Sequence, residues 1–122
     1  MFHVANPIAR LGENQATLYL QKKGYKILER NFKARYGEID IIATHKDTLV
    51  FVEVKTRTSN EFGTPFEAIT PWKLKAVVRT AQFYELTHKK LPEALRIDAV
   101  AVLLNSDGKV DSIEHMENIS GF

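Results

Sequence analysis

The chain of 122 residues contains no cysteine. That excludes disulfides, thiolate zinc sites and a cysteine nucleophile. Long apolar runs are missing as well. The longest, Ala99 to Leu104, is far too short to cross a bilayer. The N-terminal Met1-Phe2-His3-Val4-Ala5-Asn6-Pro7 has no apolar stretch of the signal-peptide kind. A cytoplasmic protein with no membrane partner is therefore expected. Glycine is sparse, and no glycine-rich loop able to cradle a phosphate occurs. Charge of one sign is lacking too: 17 Lys and Arg stand against 15 Asp and Glu, a formal +2. Global charge thus gives no argument for nucleic-acid binding, and local distribution has to carry it. The histidines, His3, His45, His88 and His115, show no ligand spacing and read as surface residues.

No Pro/Gly/Ser-rich linker or repeat divides the sequence, so residues 1–122 read as one domain. Asn6-Pro7 supplies a capping side chain followed by proline at the first helical position. The helix should run to Lys23 and stop at Gly24. Its close-packing stripe is Ala9, Gly12, Ala16 and Leu20, and Glu13 falls on the same stripe. A carboxylate there needs a partner, or must reach back to water. Tyr25 to Phe32 reads as a strand, with a basic, aromatic turn from Asn31 to Gly37. Two further strands follow, Gly37 to Ala43 and Leu49 to Lys55. A long irregular stretch from Thr56 to Ile69 comes next; loops of that length are often functional. Thr70-Pro71 repeats the cap-plus-proline signature, opening a helix to about His88 with Leu74, Val77, Val78, Ala81 and Tyr84 inward. Trp72, in its first turn, reads as a packing anchor. Leu95 to Leu104 is an apolar strand that should lie parallel to the third through a crossover. Asp107-Gly108 then turns the chain into a short last strand beginning at Val110. The expected class is α/β (α+β): an αβββαβ core with a mixed sheet flanked by helices.

The informative residues are Asp40, Glu53 and Lys55. Strand side chains alternate faces, so Glu53 and Lys55 share one. If the second and third strands form a hairpin around Lys46-Asp47, Ala43 faces Val50, Ile42 faces Phe51 and Ile41 faces Val52. Asp40 then stands opposite Glu53. A three-residue loop would slip the register and separate them. Two unit charges about 4 Å apart repel by roughly 4 kcal/mol at an effective dielectric near 20. Lys55 offsets part of that, and Mg²⁺ or Mn²⁺ would offset more; without a cation, one carboxylate should hold a proton. The plainer alternative is a solvated Glu-x-Lys face. Phe51 and Ile42 argue against it, because they put an apolar floor under the charges.

Gly37-Glu38-Ile39-Asp40 followed by Leu49-Val50-Phe51-Val52-Glu53-Val54-Lys55-Thr56-Arg57 resembles the YraN-type family of small bacterial proteins. Gly12-Glu13 with Ala16, Asn31, Phe62-Gly63, the segment Ala68 to Lys73 and Arg96-Ile97-Asp98 fit as well, so the resemblance covers nearly the whole chain. That family is similar to restriction-endonuclease-like nucleases, especially archaeal Holliday-junction resolvases. The resemblance implies Asp40 and Glu53 as metal-binding carboxylates, Lys55 as catalytic lysine, Glu13 as the acid on the first helix and the Val54 carbonyl as a further ligand. It also implies a homodimer, as junction resolvases act as symmetric dimers. Ile39 stands where the superfamily's namesake motif has proline, and the second helix carries no clear Gln/Tyr motif of the RecB-like branch.

Arg30, Lys33, Arg35, Tyr36, Arg57, Lys73, Lys75 and Arg79 are the candidate contacts to nucleic-acid phosphates. Asp98 either supports the site or pairs with Arg96 or Arg79. Three functions fit: a Mg²⁺- or Mn²⁺-dependent endonuclease on branched or structured DNA, a non-catalytic nucleic-acid-binding module on the same fold, or a protein-docking adaptor acting through the Thr56–Ile69 loop, with contacts centred on Phe62 and Phe66. The residues do not separate DNA from RNA.

Overall fold

The computed structural model describes residues 6–58, 66 and 69–120. Helix α1 spans Pro7–Lys22, and strands β1, β2 and β3 span Lys26–Ala34, Gly37–His45 and Thr48–Arg57. Helix α2 spans Pro71–Thr87, followed by β4 at Ala94–Leu104 and β5 at Val110–Met116. The five strands form one sheet in the order β1-β2-β3-β4-β5, with β3 and β4 parallel and the other neighbours antiparallel. This is the expected αβββαβ order with one more strand on the far edge. No helix among the described residues is long and apolar enough to cross a membrane.

Local chemistry sets the helix ends. The Asn6 side chain accepts the Ile8 N–H at 2.9 Å, and Thr70 accepts the Lys73 N–H at 3.3 Å. Helix α1 stops one residue earlier than expected. Lys23 is its cap, Gly24 takes φ +91°, and the Tyr25 N–H returns to the Leu20 carbonyl at 3.0 Å. That closing bond needs a residue tolerant of positive φ, which glycine supplies.

The two helices cover opposite faces of the sheet. Ala16 and Leu20 of α1 join Ile41, Val50, Val52, Val100 and Val102 in one core cluster. Val77, Ala81 and Tyr84 of α2 join Ile42, Leu49, Phe51 and Ile97 in the other. The Phe51 and Ile42 floor expected beneath the charged face is fully buried. Helix α1 lies close against β3 at Gly12, where an added Cβ would lie 2.8 Å from Thr56 Cβ and nearer still to its hydroxyl.

Several local expectations are corrected. Strand β1 runs on through Lys33 and Ala34, so the turn shrinks to Arg35-Tyr36. Ladder pairing with Ile39 and Glu38 outweighs the turn-like composition of this segment. Strand β3 extends through Arg57, and the remainder of the long stretch, including Phe62, lies largely outside the described residues. His115 is no surface residue: its side chain is 3% exposed, and Nε2 lies 2.8 Å from Asp98. Trp72 is no packing anchor, being 73% exposed. It stands on the side of α2 turned away from the buried Val77 and Ala81.

Replacing Gly12 with alanine tests the close approach. Helix propensity alone would favour alanine by about 1 kcal/mol. The clash with Thr56 should reverse that sign and lower stability by about 1–3 kcal/mol in urea titration. An unchanged or raised midpoint would show that α1 and β3 are not in such close contact.

Candidate functional site

The hairpin between β2 and β3 forms as its sequence requires. Lys46 and Asp47 both take positive φ, 48° and 62°, the mirror-image turn that matches strand twist. Pairing runs from His45↔Thr48 through Ala43↔Val50 and Ile42↔Phe51 to Ile41↔Val52. One step further, Asp40 meets Glu53. There the ladder gives way to a side chain: Asp40 Oδ2 accepts the Val54 N–H at 2.7 Å.

Asp40 and Glu53 lie within hydrogen-bonding reach of each other. Burial is the main force on both. It pushes Glu53 up to about 9, helped by the Asp40 charge and opposed by Lys55. Asp40 rises to about 6: burial again leads, the Val54 N–H opposes it, and the charges of Glu13 and Glu38 add to it. Near neutral pH the pair therefore holds a proton. Glu53 Oε1 is buried with no hydrogen-bond partner. An orphaned carboxyl oxygen beside a second carboxyl group is a donor set suited to a hard divalent cation, once the shared proton is given up.

These groups open into a cleft of about 390 Å³ between the first turns of α1 and α2. Glu13, Asp40, Glu53, Val54, Lys55 and Lys73 all line it. Glu13 is only partly available, because Asn31 Nδ2 holds its Oε1 at 2.8 Å and Arg30 lies 3.8 Å away. Consistent with that commitment, no three His, Asp or Glu side chains among the described residues are gathered for a metal ion.

The expected phosphate contacts separate into groups. Arg30 and Lys33 line an adjoining groove of about 560 Å³ with Arg10 and Asn14. Arg30 donates to Asn14 Oδ1 at 2.8 Å, while its Nε is buried without a partner. Arg35 and Arg79 lie over the Tyr36 ring, 6.0 and 5.2 Å from its centroid, forming a separate cation–π stack. Arg57 and Lys75 are exposed and line none of these cavities.

Asp98 is not part of the cleft. It neighbours Val52 in the parallel ladder, so it faces α1 while Glu53 faces the other way. It accepts Arg96 Nε at 2.8 Å, Arg96 Nη2 at 3.0 Å, His115 Nε2 at 2.8 Å and the Asn118 N–H at 2.9 Å. Burial alone would raise its pKa; the His115, Arg96 and Asn118 hydrogen bonds outweigh that and lower it. Lys23 Nζ lies 2.9 Å from His115 Nδ1. An ammonium only donates, so Nδ1 accepts and Nε2 carries the proton given to Asp98.

Sequence reasoning missed Asn31 and Glu38 as parts of the site. Asn31 takes φ +53° inside β1, and its side chain is committed to Glu13. Asparagine is among the few residues that tolerate this conformation, which was the available signal.

The raised pKa values set a pH dependence. The folded state holds more protons than the unfolded chain between about pH 4.5 and 9, so the Glu53 carboxyl lowers stability as pH rises through that window. Glu53→Gln should therefore be about as stable as the parent near pH 5, and more stable by about 1–3 kcal/mol near pH 8.5 in metal-free buffer. A variant less stable than the parent at pH 8.5 would show that the carboxyl carries no such cost.

Comparison with known proteins places the chain in a family. The model described as "Uncharacterised protein family UPF0102" matches residues 12–102. A UPF0102 protein of Syntrophomonas wolfei is 49% identical over 108 residues, 88% of this chain and 91% of the relative. One from Caldanaerobacter subterraneus subsp. tengcongensis is 45% identical over 112 residues, covering 91% and 92% of the two chains. One from Clostridium novyi is 38% identical over 118 residues, covering 97% and 98%. Asp40, Glu53, Lys55 and most of α1 all fall inside the matched span. The chain belongs to the UPF0102 family.

Proposed function

We propose that this chain is a metal-dependent endonuclease of the restriction-endonuclease-like kind, hydrolysing phosphodiesters in branched or structured DNA. The observation that carries the reading is the meeting of Asp40 and Glu53 in an open cleft, with Glu53 Oε1 buried and unpartnered. Lys55 and Lys73 line the same cleft. An acid pair on an apolar floor is costly to keep, and a substrate-binding ion gives a reason to keep it.

Asp40, Glu53 and the Val54 carbonyl would hold Mg²⁺ or Mn²⁺, since all three offer the hard oxygen such ions prefer. When bound, the ion would supply Lewis-acid polarisation of a phosphodiester. The chain's own groups do the rest. Lys55 neutralises charge developing on the phosphorane oxygens. Lys73 draws the phosphate into the cleft, and the Asn31-anchored Glu13 keeps a fixed negative charge at the opposite wall. Arg30 and Lys33 extend the basic track away from the acids. The homodimer and the preference for DNA belong to the same proposal.

One observation favours a binding-only alternative: Glu13 is committed to Asn31 rather than free to complete a three-acid set. Nicking assays on four-way junctions, flaps and single strands decide between them. The nuclease reading expects Mg²⁺- or Mn²⁺-dependent nicking that falls by about 10²–10³-fold in Asp40→Asn, Glu53→Gln and Lys55→Ala. Absence of cleavage on every substrate, with salt-sensitive DNA binding intact in the acid variants, would replace it with the binding-only reading.

A further inference from the structure

A cavity larger than the acidic cleft lies elsewhere among the described residues. A groove of about 820 Å³ lies at the other end of the sheet, where the β2–β3 hairpin approaches the segment after α2. Lys26, Lys46, Lys89 and Lys90 line it, against only Glu29 and Asp47. All four lysines are exposed, and none is in an ion pair among the described residues. Four ammonium groups against two carboxylates leave the groove with a net positive lining.

The wall behind the lysines is rigid. Tyr84 is 3% exposed and belongs to the α2-side core. His88 stacks on it at 3.8 Å, and its Nδ1 lies 2.9 Å from the Tyr84 carbonyl. A carbonyl only accepts, so Nδ1 carries the proton and the ring is held in one tautomer. A low-dielectric wall of this kind focuses the field of the ammonium groups into the groove.

Lysine ammonium groups are point charges suited to phosphate oxygens. No arginine lines the groove, so the fork geometry that reads guanine edges is missing there. The chemistry fits a repeated phosphodiester rather than a specific base or a carboxylate. Position fits too. Lys46, the first turn residue past the end of β2, is six residues from Asp40, about 20 Å at about 3.3 Å per residue. That is about six nucleotide steps at about 3.4 Å each.

We propose that this groove is a second backbone-binding site, holding the phosphodiester strand of a duplex arm about six nucleotides from the acid pair. It rests on the nucleic-acid reading above, though not on cleavage. None of its lysines belongs to the cleft.

The test is anisotropy binding of labelled four-way DNA junctions to the full chain in metal-free buffer, titrated over NaCl concentration. Arms are either about 15 base pairs, long enough to reach the groove, or about 4, too short. The double variant Lys46→Glu/Lys89→Glu should flatten the salt slope on long arms by about 2, and weaken binding there by at least about 10-fold. On short arms it should match the parent. Lys22→Glu/Lys109→Glu makes the same change of formal charge outside the groove and should leave the slope nearly unchanged. The proposal is overturned by a parent-like slope in the groove variant, by an equal loss in the control, or by an equal loss on short arms. Binding without any cutting in a parallel nicking assay would sink only the nuclease reading; no binding by the parent would sink both.

Discussion

Two carboxylates forced together on an apolar floor are the constraint on which the rest of this structure turns. Asp40 and Glu53 meet because the β2–β3 hairpin closes over Lys46-Asp47 and keeps a single register. A one-residue slip would send one acid to the far face and remove the repulsion altogether. The protein instead keeps the costly register and softens it locally. Val54 donates its N–H to Asp40, Lys55 contributes opposite charge, and burial retains a proton. The apolar residues between the pair and the turn, Ile41, Ile42, Phe51 and Val52, are fully buried, and their packing pins the register that the acids alone would oppose.

The same sheet contains the opposite solution to the same problem. Asp98 is fully buried, yet both its oxygens are saturated by Arg96, His115 and Asn118. Tyr25 extends the network through Arg96 at 2.8 Å, tying the residue just before β1 to β4. That acid is lowered in pKa and adds stability, which is lost only as pH falls through its folded value. The Asp40–Glu53 pair has the reverse sign. One acid is held for structure, with every lone pair accounted for. The other two are left under-satisfied at the cleft, and the proposed cation site rests on that difference.

The parts of this arrangement legible in the sequence are those with local rules. Asn6-Pro7 and Thr70-Pro71 announced both helix starts, and alternation with a two-residue loop gave the register that brings Asp40 beside Glu53. What escaped depended on distant partners. His115 lacks ligand spacing in sequence, but β4–β5 pairing carries it to Asp98, 17 residues away. Asn31 looked like a turn residue because asparagine favours turns; here its left-handed backbone sits inside a strand that the β2 ladder sustains on both sides. Trp72 was misread because size and hydrophobicity suggested packing, while its helical phase turns it to solvent. The far basic groove draws its lysines from β1, the hairpin and the post-α2 segment, three pieces that no linear charge run connects.

The most direct measurement is carbon-13 NMR of the Asp40 and Glu53 carboxyl groups, followed through pH and then with Mg²⁺ added at neutral pH. One carboxyl should remain protonated near pH 7, with Glu53 titrating far above the ordinary range and Asp40 near 6. Adding Mg²⁺ should shift both resonances together and release about one proton per chain. Two carboxyls fully ionised at pH 7, each titrating near 4 and indifferent to the ion, would contradict the account at its root.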